Sequence, residues 1–495
     1  MEERLPPDPP IPDEATPDVE KDSTTAADPA APEHRPPTLT EALIPLIAIA
    51  LFLGVGYGAM GWRIESMLLA SAAVAGGIGA RLGYSWKEME HNIIESLATA
   101  LPAVFILITI GALIASWIAA GTIPMLIYYG LDLMSARFFL VTSCVICSLV
   151  SVFTGTSWGT AGTMGVAFMG VAAGLGVNPG AAAGAVVAGA YFGDKLSPFS
   201  DTTNLAPVVA RANLIDHVRW MLWTTMPAWL LGLGVYLVVG LGSTPAAGVD
   251  VSALQDALHA AYHFNVLLLL PPLIILAFAA RKAPIIPGLL LATAVAVVLA
   301  VIFQGGGIGT PLNALITGYT PHTGSEQLDS LLARGGMLSM MDLTLLVLCA
   351  FAFAGIMRGC GLLDRILAAL LTVVRGRFQL VAVTVSSGIL TALVTGSSYL
   401  AIIVPGELYG DAFRRAGLAA KNLSRTLEDS GTVVVPLVPW SAAGTFMAGT
   451  LGVATLSYLP WAVMNYTGFL FALLLGATGI GIAPRVREDE TQPGS

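Results

Sequence analysis

From about residue 41 to 482 the chain is a succession of long apolar runs separated by short polar breaks, as in LIPLIAIALFLGVGYGAM at 43–60 and PIIPGLLLATAVAVVLAVIF at 284–303. The runs are about 16 to 24 residues long, close to the ~20 that an α-helix needs to cross a bilayer, whereas strands of a membrane barrel would show short alternating segments. Candidate spans fall at 43–60, 64–83, 97–120, 138–153, 157–176, 181–210, 220–242, 263–280, 284–303, 343–360, 378–394, 397–411, 426–447 and 458–481. Several read as half-helices or re-entrant pieces. The pattern predicts an all-α polytopic membrane protein with about 12–14 transmembrane segments.

Composition sharpens this. Of 495 residues, 55% are hydrophobic and 11% charged, against roughly 25% charged in soluble domains. The formal charge of −9 is concentrated at the start, where residues 1–40 hold ten acidic and three basic side chains and ten prolines. Such a segment cannot bury enough apolar surface to fold and lacks the apolar core of a signal peptide; it is expected to be a disordered cytoplasmic tail. The rest is nearly balanced, and no nucleic-acid partner is suggested. Cys144, Cys147, Cys349 and Cys360 lie in or beside apolar runs, which favours packing over a disulfide framework or a CxxC site. The six histidines form no spaced metal cluster and read as loop and helix-end residues. No transition metal and no cofactor are expected.

Basic residues gather at Arg81/Lys87, Arg211/Arg219, Arg281/Lys282, Arg358–Arg377, Arg414–Arg425 and Arg485/Arg487, while 243–262 has none and 304–342 only Arg334. The positive-inside rule then places both termini in the cytoplasm and the two basic-poor loops outside. Arg137 is the misfit.

The two halves also resemble each other. RFFLV (137–141) and LVSVFTGTSW (149–158) return as RFQLV (377–381) and LTALVTGSSY (390–399). Two matches at nearly the same offset point to an internal duplication. With seven crossings per copy, the second lies upside down, which is the inverted-repeat plan of many secondary transporters. The expected organisation is an N-terminal tail (1–40), repeat 1 (41–242), an extracytoplasmic linker (243–262), repeat 2 (263–482) and a cytoplasmic C-terminal tail (483–495).

The duplication puts Asp194, in GDKLSPFSDTTN, opposite Asp429, in SRTLEDSGTVVVPLVPW. Both elements carry prolines in an apolar setting, Pro198 in one and Pro436 and Pro439 in the other. Proline removes a backbone donor and frees carbonyls, and inside a bilayer such a break survives only where protein or a watery cavity satisfies them. A carboxylate at mid-membrane costs roughly 2.5–3.5 kcal/mol on insertion scales, so it is rarely there without a partner or a task. Asp194 and Asp201 flank the break, with Ser197, Ser200, Thr202, Thr203 and Asn204 around them. Hard oxygens at close quarters are what a small hard cation needs, and a partly desolvated carboxylate can hold a proton instead.

A purely local reading makes Asp201 or Ser200 the cap of the next helix and pairs Asp194 with Lys195. TGTS and TGSS can serve close helix packing. Arg425, three and four residues before Glu428 and Asp429, is expected to hold one of these acids in a salt bridge. Glu407 and Asp411 are expected at solvated helix ends.

The runs GDKLSPFSDTTNLAP, TGTSWGTAGT, SRTLEDSGTVVVPLVPWSAAGTFMAGTLGV, SSYLAIIVPGELY and GTIPMLIYYGL resemble the NhaC-type sodium/proton antiporter family across about residues 40–482. That likeness implies a bacterial inner-membrane secondary transporter with two inverted-topology repeats and broken helices near the midplane. It implies that Asp194, Ser197, Asp201, Thr202, Thr203 and Asn204 line a sodium and proton path. Thr156, Ser157, Ser397, Ser398, Glu428, Asp429 and Thr432 would complete it, with Lys195 and Arg425 modulating. The implied partners are the bilayer, sodium and protons, with a small organic acid or amino acid and a second copy of the chain left open. Relatives of this type also exchange carboxylates or amino acids, so the motif leaves the substrate open. An intramembrane protease is disfavoured: YFGD lacks a convincing second catalytic aspartate, and no transmembrane histidine faces a GxSG serine. No GxxxxGK[ST] loop offers ATP as the energy source, and broken helices in both halves fit gated exchange better than a passive channel.

Overall fold

A computed structural model describes residues 34–242, 251–305 and 307–484; the greater part of the expected N-terminal tail, residues 243–250 of the linker and residues 485–495 of the C-terminal tail lie outside them. From Pro36 onward the chain forms one compact unit. The described residues are overwhelmingly helical and contain no strand, only an isolated bridge between Leu418 and Pro484.

Among the described residues, six helices are long and apolar enough to cross a membrane: Leu39–Ala59, Trp86–Ala120, Leu214–Gly242, Ile285–Phe303, Met337–Gly359 and Arg377–Thr395. Two further pairs pass only when joined across a bend, Val251–Ala261 with Val266–Ala280 at 104° and Ala420–Leu437 with Ala442–Leu451 at 47°. The remaining expected spans are helical too, but short or polar for physical reasons. Phe139–Thr154 and Val463–Thr478 have 16 residues each. Pro179–Leu196 is rich in Ala and Gly and ends in Asp194 and Lys195, and Ser398–Arg415 carries Glu407, Asp411, Arg414 and Arg415. Part of the expected linker, Val251–Ala261, is itself a helix.

The duplicated motifs fold alike. Phe139–Thr154 stops at Gly155 (φ 70°), whose left-handed backbone favours glycine, and Thr156 then caps a new helix by accepting from Gly159 N at 3.1 Å. Arg377–Thr395 stops in the same way at Gly396 (φ 64°), and Ser397 caps Ser398–Arg415 by accepting from Leu400 N at 3.4 Å. The second break recurs as well. Pro179–Leu196 gives way to a short turn, closed by Ser200 N donating to Ser197 O at 3.2 Å, before Ser200 caps Asp201–Ala210, and Ser441 caps Ala442–Leu451 after the break that follows Leu437. Within each half the two breaks meet: a Cβ on Gly155 would lie 2.7 Å from the Phe199 Cβ, and Ala442 N donates to Gly396 O at 3.1 Å.

Small residues make this closeness possible. Pro179–Leu196 packs tightly on Phe139–Thr154, where Gly189 faces the Cys144 carbonyl and Gly193 faces the Ser148 carbonyl. All four cysteines are buried and unbonded. A Cβ on Gly193 would stand 2.4 Å from Ser148 O, backbone that cannot yield cheaply. Gly193→Val should therefore cost about 1–3 kcal/mol or more through overpacking, read as loss of the monodisperse peak when detergent-solubilised protein is run by size-exclusion chromatography.

Candidate functional site

The two proline-broken elements bring their polar ends together inside the bundle. Asp194 and Lys195 lie in the last turn of Pro179–Leu196, while Glu428, Asp429 and Thr432 lie in a widened turn, Glu428–Thr432, that continues Ala420–Leu427. Glu428 and Asp429 are fully buried, and Asp194 is 9% exposed.

Asp194 Oδ2 accepts from Ser157 Oγ at 2.7 Å, so the first residue of the helix after the Gly155 break is aimed at this carboxylate. Lys195 reaches across to the other half and forms a buried ion pair with Asp429 Oδ1, which also accepts from Thr224 Oγ1 at 2.9 Å. Asp429 Oδ2, both Glu428 carboxylate oxygens and the Thr432 hydroxyl have no hydrogen-bond partner. The cluster holds three carboxylates against two buried cations, Lys195 and Arg425, and this leaves one negative charge uncompensated when all are ionised. Buried unpaired charge is costly, so such a cluster calls for a cation or a proton. Among the described residues no three His, Cys, Asp or Glu side chains converge to share one ion. A bound cation would therefore take one or two carboxylates and complete its shell with hydroxyls and carbonyls.

Several expected pairings are corrected. Lys195 does not pair with its neighbour Asp194; as the last-turn residue beside it, it is free to span to the facing element instead. Arg425 makes no ion pair with Glu428 or Asp429. Its Nη1 donates to Gly481 O at 2.7 Å, leaving Nε and Nη2 unpartnered. The cap of the second half-helix is Ser200, whose Oγ accepts from Thr203 N at 3.5 Å. Asp201, the residue after it, is exposed, and Tyr399 Oη donates to it at 3.4 Å.

The other expected residues divide between site and scaffold. Ser197 Oγ donates to Val152 O at 2.7 Å, and Thr203 Oγ1 donates to the Asp194 and Lys195 carbonyls at 3.1 Å each. Asn204 Nδ2 donates to Pro198 O and Ser200 O at 2.9 and 2.7 Å, while Thr202 sits 3.3 Å from the Ser200 hydroxyl. These side chains hold the break in shape. Thr156 and Ser397 are caps, and Ser398 starts the helix after Ser397. Pro436 lies in the short turn Val435–Leu437, its carbonyl accepting from Tyr458 Oη at 2.5 Å, and Pro439 lies in the irregular piece before Ser441. Asp411 forms an ion pair with Arg414 and is exposed, as expected of a helix end.

Residues 189–480 match the Na+/H+ antiporter family. The chain belongs to that family. It is 46% identical to an uncharacterized Na(+)/H(+) antiporter of Haemophilus influenzae over 91% of this chain and 98% of that one. It is 39% identical to the Na(+)/H(+) antiporter NhaC of Alkalihalophilus pseudofirmus over 84% of this chain and 90% of the relative. It is also 35% identical to the malate-2H(+)/Na(+)-lactate antiporter of Bacillus subtilis, over 90% and 96%. Family membership makes this antiporter a multi-pass secondary transporter, and the matched stretch contains every residue of the cluster except Ser157.

Thr224, Tyr399 and His217 were not foreseen. Tyr399 had a signal, because the duplication aligns it with Trp158, which stacks on Phe446 with ring centroids 4.2 Å apart. A cavity of about 710 Å³, lined in part by Glu95, Asp364, Glu407 and Arg358, runs along Ser398–Arg415 and includes Leu400, two residues past Ser398. A second, of about 390 Å³, is mainly apolar, with Arg334, Ser339 and Thr450 among its lining.

Proposed function

We propose that this antiporter exchanges sodium for protons across a bacterial plasma membrane, with both termini cytoplasmic and two inverted repeats, 41–242 and 263–482, supplying one broken element each. The observation that carries the reading is the buried carboxylate excess around Lys195, with Glu428 and one Asp429 oxygen unpartnered. A cluster one charge short of neutral is costly to enclose bare, so it closes only when loaded with Na+ or H+. Since either ion discharges the same site, loading by one excludes the other, and this competition couples the two flows.

Asp194 takes the first contact with the incoming ion, because it alone of the three carboxylates keeps some exposure. Ser157 Oγ orients it. The non-helical pieces that end at Ser200 and Ser441 act as the joints that let the half-helices move between access states. The acidic cavity along Ser398–Arg415 serves as an aqueous approach whose charge concentrates cations.

The test is dequenching of a pH-sensitive dye in everted vesicles on adding sodium or lithium between pH 6.5 and 9. Dequenching by sodium supports the reading. No response to either ion at any pH, with a response to an organic acid, overturns it. A second reading, sodium- or proton-coupled exchange of a small carboxylate or amino acid, is favoured by the 390 Å³ cavity with Arg334 in its wall. It also draws on the malate/lactate relative and on the arginine/ornithine antiporter of Halobacterium salinarum, 35% identical over 90% of the chain. Malate, lactate, arginine and ornithine belong in the same assay. Orientation is tested by cysteine accessibility, with 251–262 expected to react from outside and 414–425 from the cytoplasm.

A further inference from the structure

His217 is not used by the cluster just described, yet it is completely buried at the start of Leu214–Gly242. Its Nδ1 lies 2.8 Å from Ser424 Oγ, and its Nε2 has no partner. On the same face of that helix, seven residues on, Thr224 holds Asp429. The facing element carries Ser424, Arg425, Glu428, Asp429 and Thr432 at spacings of one, three and four residues, which share one helical face. Four of these five end in a buried polar atom without a partner: Arg425 Nε and Nη2, both Glu428 oxygens, Asp429 Oδ2 and Thr432 Oγ1. Unpartnered polar atoms at this density are rare in folded proteins and call for bridging water.

The seam has an open end. Lys421 Nζ lies 3.9 Å from Asp216 Oδ2, with both side chains partly or well exposed, and Trp220 Nε1 donates to Asn422 Oδ1 at 2.9 Å just beside it. From there the seam passes His217 and Ser424 and, one helical turn or about 6 Å further, reaches Glu428. The charged groups around His217 are Asp216 and Arg219 on its own helix, Lys421, Arg425, Glu428 and Asp429 on the facing element, and Lys195, which lies within electrostatic reach.

We infer that His217 and the polar face of residues 424–432 form a buried proton branch leading from the Asp216/Lys421 end to Glu428, separate from the route by which sodium reaches Asp194. The Nε2 lone pair takes a proton arriving at the open end and becomes an imidazolium. That proton then passes to a Glu428 carboxylate oxygen, giving the neutral acid and restoring the neutral ring. Ser424 fixes the ring in place for both steps.

This rests on sodium/proton exchange, so the test compares two transport modes of the full-length protein in proteoliposomes. Sodium/proton exchange needs proton delivery; sodium/sodium counterflow, followed with labelled sodium, does not. His217→Gln keeps a group able to hydrogen bond with Ser424 but cannot carry a proton. It should lower the maximal rate of sodium/proton exchange about tenfold, equivalent to about 1.4 kcal/mol, and most strongly at alkaline pH. Counterflow and the sodium KM should stay within about twofold, which is under about 0.5 kcal/mol. Ser424→Ala, with the ring retained but untethered, should show the same split to a smaller degree, and it decides the matter where His217→Gln does not fold. An equal loss of both modes, or unchanged sodium/proton exchange in both variants, overturns the branch. Absence of sodium/proton exchange in the wild-type protein overturns the proposed function and the branch with it.

Discussion

Asp194→Asn should reach the membrane at wild-type level and fold, yet move protons in response to sodium at a rate on the order of a hundredfold below wild type, equivalent to about 2.7 kcal/mol. Asparagine has nearly the same shape as aspartate, and its carbonyl oxygen can still accept from Ser157 Oγ. The backbone around the break is held by other side chains, Thr203 on the Asp194 and Lys195 carbonyls and Ser197 on Val152 O. What the substitution removes is the charge. With it gone, two carboxylates face two buried cations and the cluster is neutral without any transported ion, so it can close empty. Asp194→Glu keeps the charge but moves it by one methylene, and should retain partial exchange with a raised sodium KM. The check is dye dequenching in everted vesicles normalised to immunoblotted protein. Activity in Asp194→Asn above about a tenth of wild type, a loss of under about 1.4 kcal/mol, would remove Asp194 from the ion path.

Asp201→Asn separates the two aspartates of the break. Both stand in the same polar run of sequence, but only Asp194 belongs to the buried cluster. Asp201 is exposed and touches Tyr399 at 3.4 Å. The substitution should cost less than about threefold, or about 0.7 kcal/mol.

How far the sequence foretold the molecule depends on the range of each interaction. The spans were legible because an apolar run is a local signal and nothing else in a bilayer satisfies the backbone. The breaks at Pro198, Pro436 and Pro439 were legible because proline removes a helix donor locally, whereas TGTS and TGSS, read as packing segments, turn out to hold a left-handed glycine followed by a capping hydroxyl. The duplication then extended local signals to long range and set Asp194 opposite Asp429. Partner choice was not legible. Lys195 has Asp194 next to it and Arg425 has two acids within a turn, and in both cases sequence distance suggests the wrong contact. The observed partner of Lys195 is 234 residues away, selected by how the two broken elements cross, which no local pattern encodes. Thr224 and His217 did leave a trace. His217, Met221, Thr224 and Ala228 follow helical spacing within an apolar stretch and are all buried, which marks one face of Leu214–Gly242 as turned toward a polar neighbour.

That crossing contact is where fold and transport can be told apart. Asp429→Asn leaves Lys195, 1% exposed at its side chain, without a counter-charge in the interior. Removing one partner of a buried pair costs about 3–5 kcal/mol, whereas replacing both by apolar residues of similar volume is often neutral or stabilising. Asp429→Asn should accordingly fail to accumulate as folded protein, or unfold many degrees below wild type. Lys195→Met combined with Asp429→Leu should recover the melting temperature in detergent, because a methionine stem fills the space of the lysine chain and Thr224 can turn its hydroxyl to its own helix, where it already donates to Met221 O at 3.1 Å. Transport should not return: the net charge of the cluster is unchanged, but the double variant loses the unpartnered Asp429 oxygen that a bound ion would use. Stability recovered together with exchange would make the pair a structural clamp alone. Stability lost in the double variant as in the single one would mean that the contact is held by geometry that apolar side chains cannot reproduce. Stability without exchange assigns to the pair both tasks at once, joining the two broken elements and presenting the free Asp429 oxygen to an incoming ion.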